Sequence, residues 1–159
     1  MNLLAPFRAP GTAAVHQVGV IVADLERAIA GHARLLGFDD AAWRRASFDQ
    51  ESVLELTLRG EPAAFSIRLA FAGNDPEIEL IEPVAGSSIY HEWLEERGEG
   101  LHHIAVVVNS LVAATAAMEA SDFAVLQAGR GFQPEGTGGF AYYDTAQVLG
   151  YVLEAVELP

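Results

Sequence analysis

The chain is 159 residues long, with 51% hydrophobic and only 19% charged residues, which excludes disorder and allows one domain with a real core. Acidic residues outnumber basic ones 22 to 9, giving a formal charge of −13 that repels phosphate backbones and anionic lipid, so neither nucleic acid nor membrane is expected as a partner. The chain has no cysteine and no lysine, so disulfides, thiolate ligands, Schiff bases and P-loop chemistry are all excluded.

Taken in chain order, HQVGVIVADL (16–25) reads as a buried β-branched strand running into a helix start at Asp24. The helix LERAIAGHARLLG places Leu25, Ile29, Ala33 and Leu36 at helical spacing and stops at Gly37. Three strand-like pieces follow, SVLELTLR, AFSIRLAF and EIELIE, the last two joined by the turn residues AGNDP. SSIYHEWLEERGEG reads as a short helix capped by Ser87 or Ser88 and ended by Gly98. HHIAVVVNSL (102–111) is again a strand leading to a cap, Ser110, and an alanine-rich helix. FAVLQ, GFAYYDT and GYVLEAVEL complete the chain as strands, with Asp144 and Thr145 fixing the turn into the last one.

Two of these segments are the same segment twice. HQVGVIVADL lies over HHIAVVVNSL without a gap, and residues 78–82, IELIE, lie over residues 153–157, LEAVE. The expected architecture is an α+β domain over residues 1–159, made of two tandem β-α-β-β-β modules (13–84 and 101–157) joined by a linking helix (85–100). The overlay selects four polar positions in otherwise apolar strands: Gln17 and Glu79 in the first half, His103 and Glu154 in the second.

Each has a bland alternative. A strand glutamate commonly sits on a wet face, and a lone strand histidine is commonly a satisfied core residue. Equivalent placement in two repeats favours a shared site, because pseudo-twofold symmetry brings the four side chains together. Two carboxylates, an imidazole and an amide oxygen suit a divalent ion such as Zn, Ni, Co, Mn or Mg. His16 and His102 alternate to the opposite face and read as structural.

A paired β-α-β-β-β repeat with ligands on its first and last strands resembles the vicinal oxygen chelate superfamily, which includes glyoxalase I, methylmalonyl-CoA epimerases, extradiol dioxygenases and drug-resistance proteins. The resemblance runs from about Val15 to Glu157 and is strongest in ELIEPVAGSSIYHEWLEERGEGLHHIAVVV, which is similar to the middle of methylmalonyl-CoA epimerases. Those epimerases usually carry histidine where this chain has Gln17, whereas glyoxalase I of the eukaryotic type carries glutamine with Glu, His and Glu as companions. The His-Pro-Lys stretch that epimerases commonly carry before the final strand is missing here.

The resemblance implies a cup of curved mixed sheet holding one divalent ion through Gln17, Glu79, His103 and Glu154. It also implies an isomerase or lyase that acts through an enolate on a small carbonyl or acyl-thioester compound. Glu154 is the expected base and Glu79 its symmetric partner. Arg130, Phe65, Trp93, Phe132 and Tyr142 are expected to contact substrate, with Phe71 and Phe140 also available to line the cup. Arg44, Arg45 or Arg130 would have to serve any coenzyme A phosphate, and Asp49 and Glu51 are further candidates for a base. A homodimer is expected. So is a cytoplasmic location, because no signal-peptide pattern or membrane-length apolar run is present. The competing expectation is a metal-free protein that holds an apolar or aromatic compound in the same cup.

Overall fold

The computed structural model describes residues 14–49, 54–131 and 137–158. A strand, β1 (Val15–Ile21), is followed by helix α1 (Leu25–Leu36), a 3₁₀ turn (Asp40–Ala42) and strand β2 (Arg44–Phe48). A small hairpin, β3 (Leu54–Leu58) and β4 (Glu61–Pro62), precedes β5 (Phe65–Ala72) and β6 (Glu77–Gly86). Helix α2 (Ile89–Arg97) then leads to β7 (Gly100–Val107), α3 (Leu111–Glu119), β8 (Val125–Arg130), β9 (Gly139–Tyr143), the single turn α4 (Ala146–Leu149) and β10 (Val152–Glu157). The strands form one curled mixed sheet in the order β2-β5-β6-β1-β7-β10-β9-β8-β3-β4. The fold is α+β: α1 and α3 pack on the outer face of the sheet, and α2 packs on the inner face, where Tyr90 and Trp93 join the core that floors the cup.

The pairing register carries the repeat residue by residue. β1 and β7 run antiparallel at the centre, with Gln17 opposite Ala105, Val18 opposite Ile104 and Gly19 opposite His103. Exchanging the two halves maps this register onto itself. β6 runs parallel to β1, with Gly19 beside Glu79, and β10 runs parallel to β7, with Ala105 beside Glu154. Even the helix starts obey the rule. Asp24 accepts from the Arg27 N–H and Ser110 from the Ala113 N–H, while Glu82 and Glu157 reach back from β6 and β10 to the Leu25 and Leu111 N–H groups. A carboxylate at a helix N-terminus meets both unpaired donors and the positive end of the helix dipole.

The elements depart from the sequence reading in two places. The second strand of the first half is Arg44–Phe48, whereas SVLELTLR contributes β3, which pairs with β8 at the far edge of the other half. RRASF carries no alternation because four of its five residues are exposed. Leu36 is 61% exposed and Ala33 only partly covered, so α1 meets the sheet through Leu25 and Ile29. Thr145 does fix the final turn: its hydroxyl donates to the Tyr151 carbonyl at 2.9 Å and accepts from the Leu153 N–H at 2.8 Å.

Candidate metal centre

Three strands aim one side chain each at a common point. Glu79 on β6, His103 on β7 and Glu154 on β10 are 8%, 0% and 5% exposed, and one donor atom from each lies within 4.8 Å of the others. His103 Nε2 stands 3.1 Å from Glu79 Oε2 and 3.2 Å from Glu154 Oε2. Yet none of these three buried atoms completes a directed hydrogen bond among the described residues. Orphaned buried polar atoms are rare because each costs its desolvation.

That geometry could hold a divalent ion. With ligand bonds of about 2.0–2.2 Å, neighbouring donors around one ion stand about 3.0–3.5 Å apart, the spacing seen here. Two carboxylates would cancel the ion's charge and an imidazole would complete a face of nitrogen and oxygen ligands, so the residues fit the group.

Electrostatics point the same way. Burial pushes the Glu79 carboxyl up, against the lowering effect of His103. Burial alone would lower His103, but Glu154 and Glu79 outweigh it and raise the imidazole to about 9. Without metal, a proton therefore occupies the place of the cation.

The space for His103 is made by a missing side chain. A Cβ on Gly19 would lie 1.9 Å from His103 Cε1, so no larger residue is compatible with this imidazole position. The ring is held from behind by His102, whose Nδ1 lies 3.0 Å from His103 Nδ1. One of those two nitrogens must carry the shared proton, and if His103 donates it, Nε2 keeps its lone pair toward the carboxylates. His102 itself is walled by Trp93 and Tyr90, with ring centroids at 4.9 and 5.7 Å, and burial pushes its pKa well down.

Gln17 faces the same cavity, two residues before Gly19 on β1. Its Nε2 donates to Glu77 Oε2 at 2.9 Å. His16 lines the cavity as well. The register shift between Val15 and Gln17 makes His16 an extra, bulged residue, which overturns the simple alternation that assigned it to the opposite face.

The cavity holds about 360 Å³ and has Glu79 and Glu154 at its floor. Phe48, Ile67, Leu69, Phe71 and Phe140 form an apolar wall, and Tyr90 and Tyr142 share a 3.0 Å hydrogen bond between their hydroxyls. Burial pushes both phenols well above their ordinary pKa, so they stay neutral donors.

The other residues expected at substrate are dispersed. Phe65 stacks on Phe48 one layer behind the wall at 5.6 Å, Trp93 backs His102, and Arg130 lies in a separate groove with Thr57 and Val112. Phe132 and Glu51 fall outside the described residues, and Asp49 lies on a different surface groove. Sequence reasoning missed Tyr90, Phe48, Gly19 and Glu77. Of these, Gly19, a glycine inside a strand, and Glu77, two residues from Glu79 on the same strand face, carried a local signal.

Against this geometry, the profile of the Glyoxalase/Bleomycin resistance protein/Dioxygenase superfamily matches residues 16–143. The chain belongs to that superfamily. Solved structures of the same fold include the methylmalonyl-CoA epimerase of Mycobacterium tuberculosis, with a TM-score of 0.61 and 22% identity over 93% of this chain and 89% of that one. The Streptomyces coelicolor methylmalonyl-CoA epimerase in complex with 2-nitronate-propionyl-CoA gives 0.65 and 19% over 92% and 98%. A hypothetical protein of Bacillus halodurans, BH1468, gives 0.63 and 19% over 91% and 94%. An uncharacterized Bacillus subtilis protein, YqjC, is 46% identical over 41 residues, which is 26% of this chain and 29% of its own length. Among the described residues of this superfamily member, no helix is long and apolar enough to cross a membrane.

Proposed function

We propose that this protein is a metal-dependent enzyme of the isomerase or lyase type, which moves a proton next to a carbonyl of a small substrate. The observation that carries the reading is the convergence of three buried atoms without hydrogen-bond partners, Glu79 Oε2, His103 Nε2 and Glu154 Oε2, with the two glutamates lining the cavity and the imidazole buried beneath them. Glu79, His103, Glu154 and Gln17 would hold a divalent ion, which would supply Lewis acidity toward substrate oxygen.

Glu154 takes the proton from the carbon beside the carbonyl, and Glu79 stands on the other side of His103 to return a proton or accept one from the opposite face. Tyr142, neutral at any physiological pH, accepts from the Tyr90 hydroxyl and keeps its own O–H to donate to oxygen on which negative charge develops. The apolar wall keeps bulk water from the acidified carbon and favours a substrate with an aromatic or branched body.

Within this class, a compact carbonyl compound fits better than a coenzyme A thioester. Arg27, Arg44, Arg45, Arg59, Arg68 and Arg130 each face a carboxylate of the chain already, and there is no lysine to grip a diphosphate.

The test is elemental mass spectrometry of the purified, untagged protein beside His103→Ala and Glu154→Gln. Proton–deuterium exchange on a panel of enolisable carbonyl compounds and acyl-CoA thioesters follows by NMR. Near-stoichiometric metal lost from His103→Ala, with exchange that Glu154→Gln slows at least about 100-fold, is the expected result. A protein that takes up no divalent metal overturns the mechanism. The aromatic wall of Phe48, Phe71 and Phe140 then points instead to a binding protein for an apolar compound, with affinity indifferent to Glu154→Gln.

A further inference from the structure

We infer that Glu77 and Arg44 form an outer support that locks the amide of Gln17, so that its carbonyl oxygen and not its NH₂ faces the ion; this rests on the metal site proposed above. The two ends of a glutamine amide differ in what they can do. Only the oxygen has a lone pair to give to a metal, and the terminal torsion of an unsupported amide lets either end point inward.

Glu77 removes that freedom. It is a carboxylate with acceptors only, so the end of Gln17 that bonds to it at 2.9 Å must be the NH₂. The other carboxylate oxygen of Glu77 is taken by Arg44 Nη2 at 3.3 Å, and the Arg44 guanidinium lies 4.7 Å from the centroid of the Phe71 ring in the cavity wall. Glu77 itself is 18% exposed at its side chain and is outside the cluster of Glu79, His103 and Glu154, so it supports a ligand without being one.

The pseudo-twofold register shows that this support is specific to an amide. Gln17 on β1 is paired with Glu77 on β6, and the equivalent of that pair is His103 on β7 with Val152 on β10. The imidazole needs no carboxylate beside it, because its second nitrogen is already engaged by His102. The half that carries an amide has an acceptor for the amide's spare protons, and the half that carries an imidazole has a valine in that place. Each half thus supports the nitrogen of its ligand that the metal does not use, which is the usual task of groups around a metal's direct ligands.

Binding of Co²⁺ tests the inference, read by its visible absorption and by competition with a chelator, with thermal denaturation as the check on folding. Glu77→Val should weaken Co²⁺ about 10- to 100-fold, and Glu77→Gln, which can still accept from the Gln17 amide, should stay within a few-fold of the parent. In a Gln17→Leu background the same Glu77→Val change should alter affinity less than about twofold, because there is no amide left to hold. Equal losses in both backgrounds, a Glu77→Gln protein as weak as Glu77→Val, or an unaltered affinity in Glu77→Val would each overturn the support role. A parent protein that binds no Co²⁺ overturns the metal site itself, and the two failures are thereby distinguished.

Discussion

The two halves of the molecule share a register to the residue, yet among the described residues only the first has extra strands between its second and third. In the second half, β8 is followed by one connection and then β9. In the first, β2 stands at one edge of the sheet beside β5, while the next strands in sequence, β3 and β4, stand at the opposite edge beside β8. The inner strands, where the ligands sit, have kept their symmetry; the outer strands have not. Position in the sheet explains the contrast. The centre is constrained by pairing on both sides, whereas an edge strand can gain a hairpin without shifting anything inside it.

The strongest way to break the inner symmetry is to exchange its two small residues. Gly19 and Ala105 are equivalent, each facing a ligand across β1 and β7, but only Gly19 is pressed against a ring. Gly19→Ala should expel His103 from its place, abolish metal uptake and lower stability by roughly 1–3 kcal/mol. Ala105→Gly should cost only about 0.5–1 kcal/mol and leave metal stoichiometry unchanged. Metal content and chemical denaturation of the two variants, side by side, measure both effects.

A second comparison sets proton against metal. His103 holds its proton up to about 9 when folded without an ion, above its ordinary value of 6.5, and Glu79 is raised as well. Both shifts favour the metal-free fold at low pH. The His103 contribution is complete below pH 6.5 and is lost as pH rises through about 9. The metal-free protein should therefore melt at a lower temperature at pH 9.5 than at pH 6.5, and saturating metal should reduce that difference. The same competition makes metal affinity climb with pH, by up to tenfold per unit below about 9.

Next come the matched helix starts. Glu82→Gln and Glu157→Gln remove equivalent charges from α1 and α3, and each should cost about 0.3–1 kcal/mol. Unequal losses would show that the outer asymmetry reaches the helices; Glu82 also binds Arg68 on β5, so any excess should fall on that variant and disappear when Arg68→Ala is introduced with it. The smallest effect belongs to the hairpin's link to α2. Arg59 pairs with Glu92 at 2.6 Å but is 52% exposed, so Arg59→Ala should change stability by less than about 1 kcal/mol in denaturant titrations.

What could be read from the sequence was whatever the repeat wrote twice. HQVGVIV over HHIAVVV placed β1 against β7, and IELIE over LEAVE put Glu79 and Glu154 at equivalent positions. What escaped was written once or depends on three dimensions. Arg44–Phe48 is exposed on both sides, so nothing in its pattern marks a strand, and SVLELTLR took its place in the count. His16 reached the cavity through a bulge, which no period-two rule anticipates. Arg130 lies away from the candidate metal ligands because it stands on the opposite face of β8 from Gln127, in a groove beside Leu111, Val112 and Thr115 of α3. Glu77 was visible as a glutamate sharing a face with Glu79, but its task is apparent only when the amide it holds is seen opposite.

The crossing hairpin also orders events in time. As the chain is synthesised, β3 and β4 emerge with the first half, but the strand they belong beside, Val125–Arg130, comes only after β7 and α3. Until then β3 has only the two-residue β4 beside it, an open edge that invites wrong pairing, and long-range closure is slow because its entropy is lost before any contact offsets it. The first half cannot finish on its own: its inserted hairpin waits for β8 of the second half, and the closing of that rim is the step expected to set the pace of folding.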